Sequence, residues 1–64
     1  MTAAEIKSAR FELGLSLTGM AEALGMNRRS IMRMESGEWP VYERTEKQVS
    51  SLLLMHRLKE SVKP

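Results

Sequence analysis

Apolar residues recur with helical spacing along most of this chain, and in the first three stretches a capping residue precedes them and a glycine follows. Ile6, Ala9 and Leu13 recur at i, i+3, i+7, one face of a helix. Thr2 and Glu5, three apart, form a capping-box signature ahead of them. Gly14 supplies the stop, so the pattern predicts a first helix from about Ala3 to Leu13. Ser16 is the next cap; Leu17, Met20, Ala21 and Leu24 follow, and Gly25 closes a short second helix. Gly19 inside it costs about 1 kcal/mol relative to alanine, which marks either a close backbone approach or a tolerated defect. Asn27 then caps a third helix with Ile31 and Met34 facing inward and Gly37 ending it near Ser36.

The segment Glu38-Trp39-Pro40-Val41 reads as a loop, because proline biases Trp39 towards extended geometry. From about Tyr42 to Glu60 the spacing is helical again, as one long helix or two broken near Ser50-Ser51. Val49, Leu52, Leu53 and His56 form one stripe; Leu54, Met55, Leu58 and Val62 form a second, rotated from the first. A helix on a small domain needs one buried stripe, so the second predicts contact with another chain.

The whole chain therefore reads as a single all-α domain, residues 1–64. Its centre, residues 16–36, has a helix-turn-helix layout, and residues 42–60 serve packing and dimerisation. At this length one core rarely supplies more than a few kcal/mol, so a staple or a partner chain is expected. There is no cysteine and only one histidine, so disulfides and thiolate metal sites are excluded and no metal or cofactor is expected. No nucleophile–base pair or phosphate loop is present, and no enzyme activity or small-molecule ligand is expected. No apolar run approaches a membrane span, nor does a basic stretch lead into an apolar one as in a signal peptide, so the expected location is the cytoplasm.

A net charge of +2 carries little information until it is placed along the chain. Residues 1–26 carry −1, residues 27–33 carry +3, and residues 34–64 are neutral. The excess thus lies on the second helix of the helix-turn-helix pair, as Arg28, Arg29 and Arg33. Arginine's planar fork bonds guanine O6 and N7, or phosphate, bidentately. Cations in the first turn oppose the helix dipole, a cost that an anionic partner offsets. On a generic helix three arginines read as a solvated face; in this position they read as facing DNA. Asn27 and Ser30 add short hydrogen-bonding groups at the helix start. Met32 points outward, towards a thymine methyl or towards nothing.

Arg10 falls on the inward stripe of the first helix, where a lone charge is costly. Glu35, beside Met34, is the expected partner, in an ion pair that is at least partly buried. Met20, Met26 and Met34 read as core filler, and His56 as a structural residue. Trp39 is open to three roles: dimer anchor, contact with the DNA backbone, or core packing. Phe11 lies off the main stripe and has no assigned role.

Taken together, Leu13-Gly14-Leu15-Ser16, Met20-Ala21-Glu22-Ala23-Leu24-Gly25, Arg28-Arg29-Ser30-Ile31 and Glu35-Ser36-Gly37 resemble the Cro/phage-repressor (XRE-type) class of helix-turn-helix regulators. The resemblance covers about residues 3–45. It implies a compact bundle of four or five helices of the lambdoid-repressor type, binding operator DNA as a homodimer. Many members regulate phages or mobile elements and repress their own promoters. Position by position, the third helix corresponds to the recognition helix, and Asn27, Arg28, Arg29, Ser30 and Arg33 match positions at base edges or phosphates. Ser36 matches a phosphate-contacting position, and Arg10 with Glu35 match a structural ion pair of the class. One departure is Leu17, where relatives often place a phosphate-binding glutamine; Ser16 or Thr18 are then left to supply that anchor. Another is Met34, where relatives often carry tryptophan or leucine.

The leading expectation is a sequence-specific transcriptional repressor of double-stranded DNA, located in a bacterial cytoplasm or a phage-infected cell. One half-site is too little for tight binding; a two-fold dimer sets two recognition helices about 34 Å apart and reads a palindromic operator. Trp39, Leu54, Met55, Leu58 and Val62 are the expected dimer interface. The alternative is a protein-interaction module on the same fold, an antiactivator or antitoxin with little DNA binding, which the leucine at position 17 favours.

Overall fold

The computed structural model describes residues 1–61 and contains four helices: α1 (Ala3–Glu12), α2 (Leu17–Leu24), α3 (Arg28–Ser36) and α4 (Glu43–Ser61). No strand occurs among the described residues, so the fold is an all-α bundle of four helices. Local signals act where expected at α1 and α2. The Glu5 amide donates to Thr2 Oγ1 at 3.1 Å while Glu5 Oε1 accepts from the Thr2 amide at 2.8 Å, closing the capping box. Ser16 Oγ accepts from the Gly19 amide at 3.0 Å at the start of α2. A Cβ on residue 19 would stand 3.3 Å from that oxygen, so the glycine leaves room for the cap.

At the start of α3 the sequence reading needs correction. Asn27 has the extended backbone of a capping residue, but its side chain makes no capping hydrogen bond. Its carbonyl accepts from Ser30 at 3.0 Å, and that backbone contact begins the helix. The turn before it depends on Gly25, whose φ of +66° is in the left-handed region where other residues strain. This geometry lets the Met26 amide reach the Ala21 carbonyl at 2.8 Å, satisfying an end carbonyl of α2 and aiming the chain into α3.

Ile6 and Ala9 from α1, Met20, Ala21 and Leu24 from α2, Ile31 and Met34 from α3 and Val49 from α4 form the buried core. Thr45 is buried one turn before Val49 and extends the inward stripe of α4 backwards. Leu52 and Leu53 are half-buried against the core. Trp39 is 42% exposed and outside the core, which removes core packing from its three possible roles.

The C-terminal region is one unbroken helix of 19 residues, about 28 Å long at 1.5 Å per residue. It packs on α1 and α2, while α3 packs on the same two helices. Beyond Leu53 no residue of α4 is buried, so its last two turns project from the bundle and carry Leu54, Met55 and Leu58 exposed. Val62, the fourth residue of that stripe, lies outside the described residues. The described part measures 41 × 20 × 18 Å, the long dimension reflecting that projection.

Candidate nucleic-acid interface

Helix α3 is held in place from its inner side. Ile31 is fully buried and Met34 almost so, which leaves the opposite face outward. Asn27, Arg28, Arg29, Met32 and Ser36 are exposed on or beside that face, and Ser30 and Arg33 are half-buried. Neither Arg28 nor Arg29 has an ion-pair or hydrogen-bond partner among the described residues. With the Asn27 side chain also uncommitted, the start of α3 presents two free guanidinium groups, a free amide side chain and the positive end of a helix dipole.

The pose of α3 depends on Arg10. Its Nε and Nη2 donate to the two carboxylate oxygens of Glu35 at 2.7 and 3.1 Å. Its Nη1 donates to the Leu15 carbonyl at 3.2 Å, immediately before the cap of α2. One guanidinium therefore joins α1, the entry to α2 and the far end of α3. Both side chains are about nine-tenths covered, at 11% and 8% exposure, so water screens the pair poorly. Hydrogen bonding to Glu35 raises the Arg10 pKa further above its ordinary value, and the charge is permanent.

The remaining expected contacts divide by geometry. Thr18 is exposed and without a hydrogen-bond partner. The Ser16 oxygen is occupied by the cap, although its hydroxyl proton stays available. Ser36 is bound within its own loop: its Oγ donates to the Arg33 carbonyl at 3.0 Å and accepts from the Glu38 amide at 3.4 Å. Leu17 is half-buried against the core.

Three residues near this face were missed by the sequence reading. Lys7 lines a groove with Arg10, Leu17, Met32, Glu35 and Ser36. Tyr42 and Arg44 line a separate groove with Gly25 and Met26 of the turn that leads into α3. Lys7 and Arg44 lie on helices outside the helix-turn-helix, so no spacing rule within residues 16–36 points to them. Two exposed aromatics also acquire partners: the Arg10 guanidinium lies 4.6 Å from the Phe11 ring centroid, and that of Arg33 lies 4.8 Å from the Trp39 centroid. Trp39, expected among the dimer residues, thus sits against the end of α3.

Away from α3, Arg57 forms a bidentate pair with Glu12 at 2.7 and 3.0 Å, linking the projecting end of α4 to the end of α1. Its hydrogen bonds pull the Glu12 pKa below the ordinary carboxylate value. No cluster of three potential metal ligands exists among the described residues, and no described helix is long and apolar enough to cross a membrane. No family model, curated protein or solved structure matches the chain.

Proposed function

We propose that the chain is a sequence-specific repressor of transcription, of the Cro/phage-repressor kind, that sets α3 in the major groove of double-stranded DNA. The observation that carries the reading is the outer face of α3, where Arg28 and Arg29 stand exposed and unpaired on the second helix of a helix-turn-helix. A rigid scaffold with two free arginines at a helix start suits guanine edges and flanking phosphates. Lys7, beside α3, and Arg44, beside the turn before it, supply cations for the DNA backbone, and Lys7 takes the place of the glutamine absent at position 17. The functional unit is a homodimer on an inverted repeat, joined through the exposed Leu54, Met55 and Leu58 on the projecting part of α4. The circuit such a chain suits best is negative autoregulation in a phage or mobile element, in the bacterial cytoplasm, with no catalytic step and no cofactor.

Selection of binding sites from random DNA tests this. The expected product is a palindrome whose affinity falls steeply with salt, as phosphate neutralisation releases counterions. Arg29→Ala should abolish preference for the selected site and leave the helical circular-dichroism signal intact. If selection enriches no sequence, the repressor reading fails and the alternative of a protein-interaction module takes its place.

A further inference from the structure

Of the three arginines on α3, Arg33 alone has a side chain held by another residue. Its guanidinium carbon lies 4.8 Å from the centroid of the Trp39 ring. The same two residues are joined through the backbone, where the Trp39 amide donates to the Arg33 carbonyl at 3.2 Å. That carbonyl also accepts from Ser36 Oγ at 3.0 Å. Gly37, with φ at +86°, turns the chain back over the helix end, and Pro40 disfavours helical backbone at Trp39. Glu38 lines the same groove as Arg29 and Arg33, yet no ion pair to either is formed among the described residues. The aromatic face, rather than a carboxylate, therefore holds the Arg33 side chain.

From this arrangement we infer that Trp39 is a positioning residue for Arg33, holding it ready to read one base pair in each half-site. The inference rests on the DNA-binding reading above. Its physical basis is the shape of the guanidinium. Stacking occupies a face of the plane, whereas the N–H donors point outward along its edge. A stacked arginine therefore keeps the bidentate fork that guanine O6 and N7 require. A free arginine must give up rotamer freedom when it binds, and one already held by a ring gives up less. Arg28 and Arg29, which lack a ring, give up more rotamer freedom when they bind. Trp39 is 42% exposed and outside the core, so its ring is free to lie against the end of α3 while Val41 ties the same loop to the core.

The experiment measures Trp39→Ala, Trp39→Phe and Arg33→Ala against wild type on the selected site and its single-base-pair variants. Trp39→Ala is expected to weaken binding about two- to fivefold, the range for an exposed cation–π contact. The lost discrimination should fall at the same base pair that Arg33→Ala loses, with the salt slope unchanged because no charge is removed. Trp39→Phe should retain most of both. A loss spread evenly over all base pairs overturns the inference, as does a fall in sedimenting mass, which would make Trp39 a dimer anchor. In the free protein, the Arg33 Nε–H resonance is expected upfield from ring current and should return downfield in Trp39→Ala. If it does not move, there is no stack and the inference is overturned, whatever the DNA result. If it moves but wild-type protein selects no DNA, the DNA-binding reading is the part that fails, and the role assigned to Trp39 fails with it.

Discussion

Arg10 and Glu35 are joined by two hydrogen bonds, Nε to Oε2 at 2.7 Å and Nη2 to Oε1 at 3.1 Å, across 25 residues of sequence. The pair ties α1 to the end of α3 that lies opposite Arg28 and Arg29. Breaking a buried pair leaves one charge uncompensated, at a cost of roughly 3–5 kcal/mol when burial is complete. Some exposure remains here, so Glu35→Ala should lower unfolding free energy towards the lower end of that range. Arg10→Ala should cost more, because the Leu15 carbonyl also loses its donor. The double variant Arg10→Met/Glu35→Leu should recover much of the loss. Urea denaturation of the four proteins measures this, and a double variant no better than either single one would contradict it.

The starts of α2 and α3 differ in a way that mutation can read. Ser16→Ala removes a real cap bond and should destabilise by about 1 kcal/mol, within the usual 0.5–2 kcal/mol for such caps. Asn27→Ala removes no side-chain cap bond and should change stability by only a few tenths of a kcal/mol. Thermal melts of both variants test the difference. An equal loss at Asn27 would mean that its side chain does cap α3 in solution.

Acid should loosen the join between α1 and α4. Hydrogen bonds from Arg57 lower the Glu12 pKa, and bonding to Thr2 lowers that of Glu5. For a carboxylate whose folded pKa is depressed, the stabilisation is fully present above the unfolded value, near 4.5, and is lost as pH falls through the folded value. Melting temperature should therefore hold steady near neutrality and decline below about pH 4.5. Glu12→Gln should flatten part of that decline; a decline identical to wild type would show that the Arg57 pair adds nothing measurable.

The projecting end of α4 predicts association. Leu54, Met55 and Leu58 are each more than half exposed, and a monomer has no use for three such side chains in adjacent turns. Sedimentation should give about twice the 7.3 kDa chain mass at micromolar concentration. Leu58→Asp should return it to the monomer value with the helical signal retained, since the residue is 56% exposed and outside the buried core. A wild-type monomer throughout that range would remove the dimer from the proposal.

The first three helices were legible because their signals are local. A cap, an apolar residue every three or four positions and a glycine at the end all act within one or two turns, and each boundary fell within a residue or so of its expected place. Whether residues 42–60 held one helix or two was open, since Ser50 and Ser51 neither break a helix nor favour one strongly; packing of Thr45, Val49, Leu52 and Leu53 along one side keeps it continuous. The Arg10–Glu35 pair was also legible, because a charge on an inward stripe demands a partner and few acids were in reach.

What sequence spacing left undecided depends on where helices cross. The pairing of Arg57 with Glu12 joins residues 45 apart, and nothing near either one in the chain announces it. Lys7 reaches a groove beside α3, and Arg44 one beside the turn before it, only because α1 and α4 pack against these elements. Trp39 is the sharpest case. Periodicity stops at Gly37, so the loop beyond it has no face to which a residue can be assigned. The fold over the end of α3 sets the ring against Arg33 rather than in the core. Helix identity and the basic character of α3 follow from neighbours in sequence; the partners of Arg33 and Arg57 follow from how distant segments pack, which only the tertiary structure sets.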